Sequence, residues 1–227
     1  MDPFGGLHVI PAVGRYRGGP SLLLHFDGSG TALVDSSPNA CSVTAFGSAT
    51  QSTDQAKFGP ASLKVNGGYA RTINAALIIG TQDFTYDCWV YANSLSGETY
   101  LLDTRYASGN ENGIGVGQLN GEPFFYDGNT FIGRNPSLPL LTIGAWHHVE
   151  VGRQGSTIYL FLDGVLIATG TGFSNDFVSN NYVIGAVQYY PIGVEPFNGY
   201  IDEAHLVIGH CLNTSSFTPP TAPYPPP

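Results

Sequence analysis

Short stretches in which apolar and polar side chains alternate recur along the chain, and the clearest of them begins at Phe84. From Phe84 to Tyr91, every second residue shares one face of an extended segment, and Thr85, Asp87 and Trp89 lie with Tyr91 on the other. A repeat of two is the spacing of a half-buried strand, whereas an amphipathic helix repeats about every 3.6 residues. We find no helical repeat of useful length, so the pattern predicts an all-β protein.

The turn signals between these stretches indicate antiparallel sheets. Asp163-Gly164 is typical of a tight two-residue turn and joins predicted strands at 157–162 and 165–169. The other predicted strands are 21–27, 41–46, 62–65, 84–91, 99–104, 113–119, 123–126, 147–151, 182–187 and 200–208. Many short strands at this spacing are typical of a β-sandwich or a jelly roll.

The two ends of the chain differ from the predicted sandwich at 21–216. Residues 1–20 are rich in Gly and Pro yet carry apolar side chains such as Leu7 and Ile10. We therefore predict an arm that packs either on a partner subunit or on its own domain. Residues 217–227 are rich in proline and are predicted to run extended over the surface.

Composition and charge exclude some functions. Only 11% of the 227 residues are charged, compared with about 25% in typical domains. Such a surface suits a protein that packs against neighbours, but it also fits a sandwich covered in Ser, Thr, Asn and Gly. A net charge of −9 repels phosphate backbones, which argues against nucleic-acid binding. No apolar run approaches the ~20 residues that span a bilayer, so we expect no membrane partner.

The three cysteines and the N-terminal residues indicate the cellular compartment in which the protein is made. Cys88 lies within a predicted strand and is expected to be a small buried apolar residue. Cys41 and Cys211 could pair if the terminal strands are neighbours, but an odd count without zinc-site spacing favours reduced thiols. The residues after Met1 lack the features of a secretory signal, so we expect synthesis in a reducing cytoplasm.

Seven segments, in order, carry a resemblance to a known family. They are Leu22-Leu-Leu-His-Phe-Asp-Gly28, Asp35-Ser-Ser37, Lys57-Phe-Gly59 with Ala61-Ser-Leu63, Asp83-Phe-Thr85 with Trp89-Val90, Trp146-His-His-Val149, Leu160-Phe-Leu-Asp-Gly164 and Phe197-Asn-Gly-Tyr-Ile-Asp-Glu203. They resemble the laminin G-like branch of the concanavalin A-like lectin/glucanase superfamily, over about residues 21–224. The closing segment, Phe217 to Tyr224, is similar to the version of this domain found in tailed bacteriophages and marine bacterial genomes.

The resemblance implies both a fold and a class of function. The fold is a jelly-roll sandwich of two curved antiparallel sheets, and the function is binding of carbohydrate or protein more often than catalysis. The phage-like variant implies a structural protein of the virion.

Hydrolysis of glycosides is the enzymatic alternative for this fold, and the sequence argues against it. Cleavage needs two carboxylates about 5 Å or more apart that flank the bond. The glucanase relatives carry them as Glu-x-Asp-x-Glu on one strand, and no such triplet occurs here. Asp87 is the lone acid on its predicted strand, and adjacent Asp202 and Glu203 should face opposite sides. We therefore predict that the protein is not an enzyme.

Two acidic residues are candidates for a metal site, with calcium as the possible cofactor. Calcium takes carboxylate and backbone oxygens, and many relatives bind one at a sheet edge. Asp27 and Asp202 lie in the first and last strands, which run side by side in this fold. The alternative is that Asp202 caps a turn or accepts hydrogen bonds from backbone amides.

Exposed aromatic side chains beside amides or carboxylates are candidates for binding sugars. Tyr106 is followed by Asn110 and Asn112, Tyr126 by Asp127 and Asn129, and Tyr189 and Tyr190 lie in one predicted loop. Aromatic rings stack on pyranose faces, and loops commonly carry binding sites. Each tyrosine could equally contact another subunit.

We therefore predict a non-enzymatic structural protein of a tailed-phage virion: a capsid decoration, a head fibre or a tail-associated subunit. Its expected partners are other virion proteins and further copies of itself. The alternative is an adhesin module that binds glycans on a host surface.

Overall fold

The computed structural model describes residues 19–106, 112–189 and 191–225. The predicted arm therefore lies almost wholly outside the described residues, and so does Tyr190. The strands are β1 (Leu22–Leu24), β2 (Ala32–Leu33), β3 (Val43–Phe46), β4 (Thr50–Ser52), β5 (Ser62–Lys64), β6 (Tyr69–Ile73), β7 (Phe84–Ala92), β8 (Glu98–Asp103), β9 (Gly115–Leu119), β10 (Glu122–Tyr126), β11 (Phe131–Gly133), β12 (Trp146–Gln154), β13 (Thr157–Leu162), β14 (Val165–Thr171), β15 (Asn181–Ile184) and β16 (Gly199–Ile208). A short 3-10 helix covers Ala75–Leu77, and no helix in these residues is long and apolar enough to cross a membrane.

Two antiparallel sheets stack face to face, as the jelly-roll prediction required. The first sheet runs in the order β14-β13-β12-β7-β16-β5-β4, and β1 also pairs with β16. The second runs β11-β10-β9-β8-β15-β6-β3-β2. The terminal strands are thus neighbours, with Leu22 opposite Leu206.

The alternation in β7 sorts its side chains between the core and the outer face of the first sheet. Phe84, Tyr86, Cys88 and Val90 are buried in the core. Asp87 is also buried, although it belongs to the other face, because the C-terminal segment covers it. The outer face of this sheet is therefore partly shielded from solvent.

The hairpin between β13 and β14 forms as predicted. Asp163 and Gly164 both have positive φ, at 51° and 75°, as a type I′ turn requires. Phe217 N–H donates to the Gly164 carbonyl at 2.8 Å and fastens the C-terminal segment to this turn. The predicted extended tail thus runs over the outer face of the first sheet.

The three cysteines are free thiols, and all three are buried. The pairing of Cys41 with Cys211 that the sequence left open is not formed. Cys88 packs in the core, as expected for a small apolar residue.

Candidate functional site

An aromatic cluster covers the outer face of the second sheet at β8 to β11. Tyr100 and Phe124 are buried and pack with Val187, and three half-buried rings lie over them: Tyr126, Phe131 and Tyr189. We call these five rings the aromatic cluster. Tyr126 and Phe131 stack with centroids 4.0 Å apart and planes 15° apart. The two half-buried rings together form an apolar surface against which a sugar can pack.

Glycines in β9 make room for the cluster. A Cβ on Gly117 would lie 2.7 Å from the Phe124 ring, and one on Gly115 would lie 2.8 Å from the Tyr100 ring. The two rings therefore rest directly on the backbone of β9. Any side chain at these glycines would displace a ring, so the local sequence fixes the shape of the surface.

Arg105 holds the cluster together from below. Its guanidinium carbon lies 4.8 Å from the ring centres of both Tyr100 and Tyr126 and 5.3 Å from that of Tyr189. All three distances are within the range of a cation–π contact, about 6 Å. The side chain is only 2% exposed, so Arg105 orients the rings and does not itself meet the solvent.

Asp103 neutralises this buried cation. Arg105 donates through Nε to Asp103 Oδ1 at 2.9 Å and through Nη2 to Oδ2 at 2.8 Å. Burial opposes the charge of the arginine, but its bonds to Asp103 outweigh that effect and raise the pKa of Arg105. For Asp103 burial is the stronger effect, and the pKa of this carboxyl is raised despite Arg105. The pair is thus a bidentate ion pair, which sets the orientation of the Arg105 guanidinium.

A second ion pair lies at the rim of the cluster. Arg134 donates to Glu98 Oε2 at 2.7 Å, and its guanidinium carbon lies 4.3 Å from the Phe131 ring centre. The other Glu98 oxygen accepts from the Tyr100 hydroxyl at 2.7 Å. The rim therefore offers carboxylate and guanidinium groups beside the stacked rings.

The structure brings together only some of the tyrosines proposed from the sequence. Tyr126 and Tyr189 meet around Arg105. Tyr106 is 48% exposed, and its hydroxyl lies 3.3 Å from the Asn180 side chain, outside the aromatic cluster. Tyr100, Phe131 and Arg105 were missed, because only strand pairing across β8 to β11 reveals that they meet.

The two candidate calcium ligands lie at the edge where β1 meets β16. Asp202 Oδ2 accepts from the backbone N–H groups of Lys57 and Phe58 at 2.8 and 3.2 Å, and Oδ1 accepts from the Glu203 N–H at 2.9 Å. Burial raises the pKa of Asp202 to about 7 despite these bonds. The contacts agree with the alternative in which Asp202 accepts backbone amides.

Asp27 is the more open of the two. A cavity of about 210 Å³ opens beside it and is also lined by His25 and Gln51. His25 Nδ1 lies 2.7 Å from Glu203 Oε1, and this bond raises the pKa of His25. Within the described ranges, no group of three or more His, Cys, Asp or Glu residues is arranged to hold a metal ion. Calcium binding here stays a prediction.

One statement about acidic residues was wrong. Asp87 is the lone acid on β7, as predicted, but Glu150 of β12 is its direct partner across the ladder. Asp202 and Glu203 do not face opposite sides, because a bulge with positive φ at Glu203 interrupts the alternation. Glu203 instead accepts from the Tyr224 N–H at 2.9 Å, on the outer face of the first sheet.

Comparison with known proteins finds solved structures that share this architecture. Domain 4 of the arabinanase AbnA from Geobacillus stearothermophilus, solved with arabinotriose, is 18% identical with a TM-score of 0.60, and the match covers 86% of this chain and 95% of that one. The binding domain of botulinum neurotoxin serotype D/C is 16% identical with a TM-score of 0.62, covering 86% of this chain and 49% of that one. A neurotoxin DC binding domain solved with SialylT is 15% identical with a TM-score of 0.58, covering 85% and 48%.

These structures share the fold, and the chain spans about half the length of the neurotoxin domains. No curated protein is similar enough in sequence to match the chain. A family model does match residues 64–212, well over half of the chain. On that match, and on the two stacked sheets described above, the chain belongs to the concanavalin A-like lectin/glucanase superfamily.

Proposed function

We propose that this protein is a non-catalytic carbohydrate-binding module that holds a glycan on the aromatic cluster. The observation that carries the proposal is the stacked pair of Tyr126 and Phe131, half-buried and braced by Arg105. Sugar-binding sites combine such rings with a few polar groups that fix the orientation of the ligand. The partly exposed side chains of Glu98 and Arg134 supply those groups at the rim.

The use of the fold in other proteins supports this proposal. The arabinanase domain was solved with arabinotriose, and one neurotoxin binding domain was solved with SialylT. At 15 to 18% identity these proteins establish the fold and not the ligand. The argument for binding therefore depends on the residues of the cluster in this chain.

A glycan array probed with the full chain tests the proposal. Binding to one family of glycans, reproduced in solution by calorimetry, is the expected result. Failure to bind any glycan at millimolar concentration would remove the proposal. The virion role expected from the resemblance stays a prediction, since no feature of the described residues supports it.

A further inference from the structure

The charged groups around the aromatic cluster are paired with one another. Arg105 is bonded to Asp103 by two hydrogen bonds, and Arg134 is bonded to Glu98 at 2.7 Å. This bond leaves other N–H groups of Arg134 open to a ligand, but Glu98 beside them neutralises the charge that would attract a carboxylate. Each guanidinium at the cluster therefore already has its carboxylate partner.

The charge left at the site is negative. Glu195 lies on the loop that carries Tyr189, and its partial burial, followed by the charge of Glu98, raises its pKa. The whole chain carries a formal charge of −9. The nearest further cation on this sheet is Arg71 of β6, two strands from β8, where it donates to Asn181.

We propose that the aromatic cluster selects neutral glycans and disfavours sugars that carry a carboxylate. This inference rests on the proposed function. Packing against Tyr126 and Phe131 does not depend on the charge of the sugar. The carboxylate of a uronic or sialic acid, in contrast, is repelled by Glu98 and Glu195. Discrimination thus comes from repulsion added to a common attractive surface.

The test compares neutral oligosaccharides with carboxylated counterparts of the same linkage, such as lactose with sialyllactose and xylo-oligosaccharides with glucuronoxylan fragments. We expect the acidic member of each pair to bind at least tenfold more weakly at low salt. Glu195→Gln should narrow that gap, and Asp176→Asn, which removes an exposed charge beside Arg153, should not. Equal or tighter binding of acidic sugars would overturn this inference and leave glycan binding intact. Absence of all binding would instead overturn the proposed function.

A different observation carries a second inference, which concerns the C-terminal segment 211–225, here called the strap. The strap lies across the outer face of the first sheet and covers five ionisable side chains there. They are Asp87, His148, Glu150, Glu203 and His205, of which Asp87 and His148 are 0% and Glu150 is 2% exposed. Buried groups of this kind are costly unless each is paired.

Asp87 keeps its charge under the strap. His205 Nδ1 lies 2.7 Å from Oδ2, His148 Nε2 lies 3.3 Å from Oδ1, and the Tyr224 hydroxyl donates to Oδ1 at 2.6 Å. Burial alone would raise the pKa of Asp87, but the two histidines outweigh it and hold this pKa below its ordinary range.

Glu150 differs from Asp87 in that its pKa is raised. It stands directly across the ladder from Asp87, and the Asn213 amide of the strap donates to both of its oxygens at 3.0 and 3.1 Å. The groups around it are Asp87 on β7, His148 on β12, Phe161 on β13, and Cys211 and Tyr224 of the strap. Burial and then the charge of Asp87 raise the pKa of Glu150 well above its ordinary value, and they outweigh the Asn213 bonds, which favour the ionised form.

We propose that the strap is a releasable cover, closed while Glu150 is protonated and lifted when Glu150 ionises opposite Asp87. Loss of this proton puts two carboxylates face to face beneath the strap, and release lets water separate their charges. Because the pKa of Glu150 is raised on folding, its contribution to closure is complete below about pH 4.5 and is lost as the pH rises through the raised value.

Hydrogen exchange of the strap amides in the full chain, corrected for the intrinsic pH dependence, tests this proposal. The Leu212, Phe217 and Tyr224 N–H groups are all hydrogen-bonded when the strap is closed. We expect their protection to fall at least tenfold between pH 4.5 and 9.5, while β12 stays protected. Glu150→Gln imitates the protonated acid and should abolish the fall. Glu203→Gln, which alters another carboxylate that contacts the strap, should leave it in place. No fall in the wild type, or the same fall in Glu150→Gln, would overturn the proposal.

Discussion

The hydroxyl of Tyr224 donates a 2.6 Å hydrogen bond to the buried carboxylate of Asp87. One residue belongs to the proline-rich tail and the other to the middle of β7, the strand with the clearest alternation. The Tyr224 ring also stacks on His205, with centroids 4.1 Å apart. The tail is therefore part of the folded domain, although its sequence resembles a surface extension.

Replacing Tyr224 with Phe should destabilise the protein by about 1.5–3 kcal/mol, the range for a hydrogen bond to a charged group. The change removes one donor from Asp87 and keeps the ring on His205. Urea denaturation measures the effect. Tyr106→Phe is the matched control, because its exposed hydroxyl contacts only Asn180 among the residues described, and it should change stability by less than about 0.5 kcal/mol. Equal effects of the two variants would contradict the role given to Tyr224.

Tyr126→Ala should weaken glycan binding at least tenfold, a loss of about 1.4 kcal/mol. The substitution removes half of the stacked pair with Phe131. Tyr159→Ala serves as control, since Tyr159 is a half-buried tyrosine on β13 in the opposite sheet. Calorimetry on the glycan found by the array gives the comparison. If Tyr159→Ala weakens binding as much, the site lies elsewhere.

Arg105→Met should lower stability by about 3–5 kcal/mol at neutral pH, because it leaves Asp103 buried without its partner. Since burial already raises the pKa of Asp103, the orphaned carboxyl should take up a proton as the pH falls. The deficit should thus be smaller at pH 5 than at pH 8. Denaturation curves at the two pH values check this, and a deficit independent of pH would contradict it.

Features that depend on residues adjacent in sequence were predicted correctly. Features that depend on the pairing of distant strands were missed. The Asp163-Gly164 turn and the two faces of β7 follow from local chemistry, and both are confirmed. β2, β4, β6 and β11 were not predicted. Three of them have only two or three residues, which show no period, and β6 is a five-residue strand whose order depends on pairing with β3 and β15. Arg105 was missed for a related reason: Tyr100, Tyr126 and Tyr189 reach it from three separate segments.

Calcium, if it binds at Asp27 and Asp202, should stabilise the protein more at pH 8 than at pH 6. Burial raises the pKa of Asp202 to about 7, so the carboxylate that calcium needs is mostly ionised only at the higher pH. The melting temperature, measured with calcium and with chelator at both pH values, is the readout. Asp27→Asn should abolish the shift. No shift across millimolar calcium at pH 8 would remove the site.

The protein should not hydrolyse glycosides, even though Asp87 and Glu150 form an acidic pair of the kind that hydrolysis uses. Facing positions of an antiparallel ladder bring two carboxyl groups to about 5 Å, which is the separation found in retaining enzymes. Asp87, however, is already held by His148, His205 and Tyr224, so it is a poor nucleophile. The strap also covers both acids, which leaves no room for a sugar. We expect no release of reducing sugar from laminarin, alginate or agar above the buffer rate, at pH 6 or under the alkaline conditions that should lift the strap. Sustained turnover that disappears in both Asp87→Asn and Glu150→Gln, with folding intact by circular dichroism, would make this face an active site and the strap its cover.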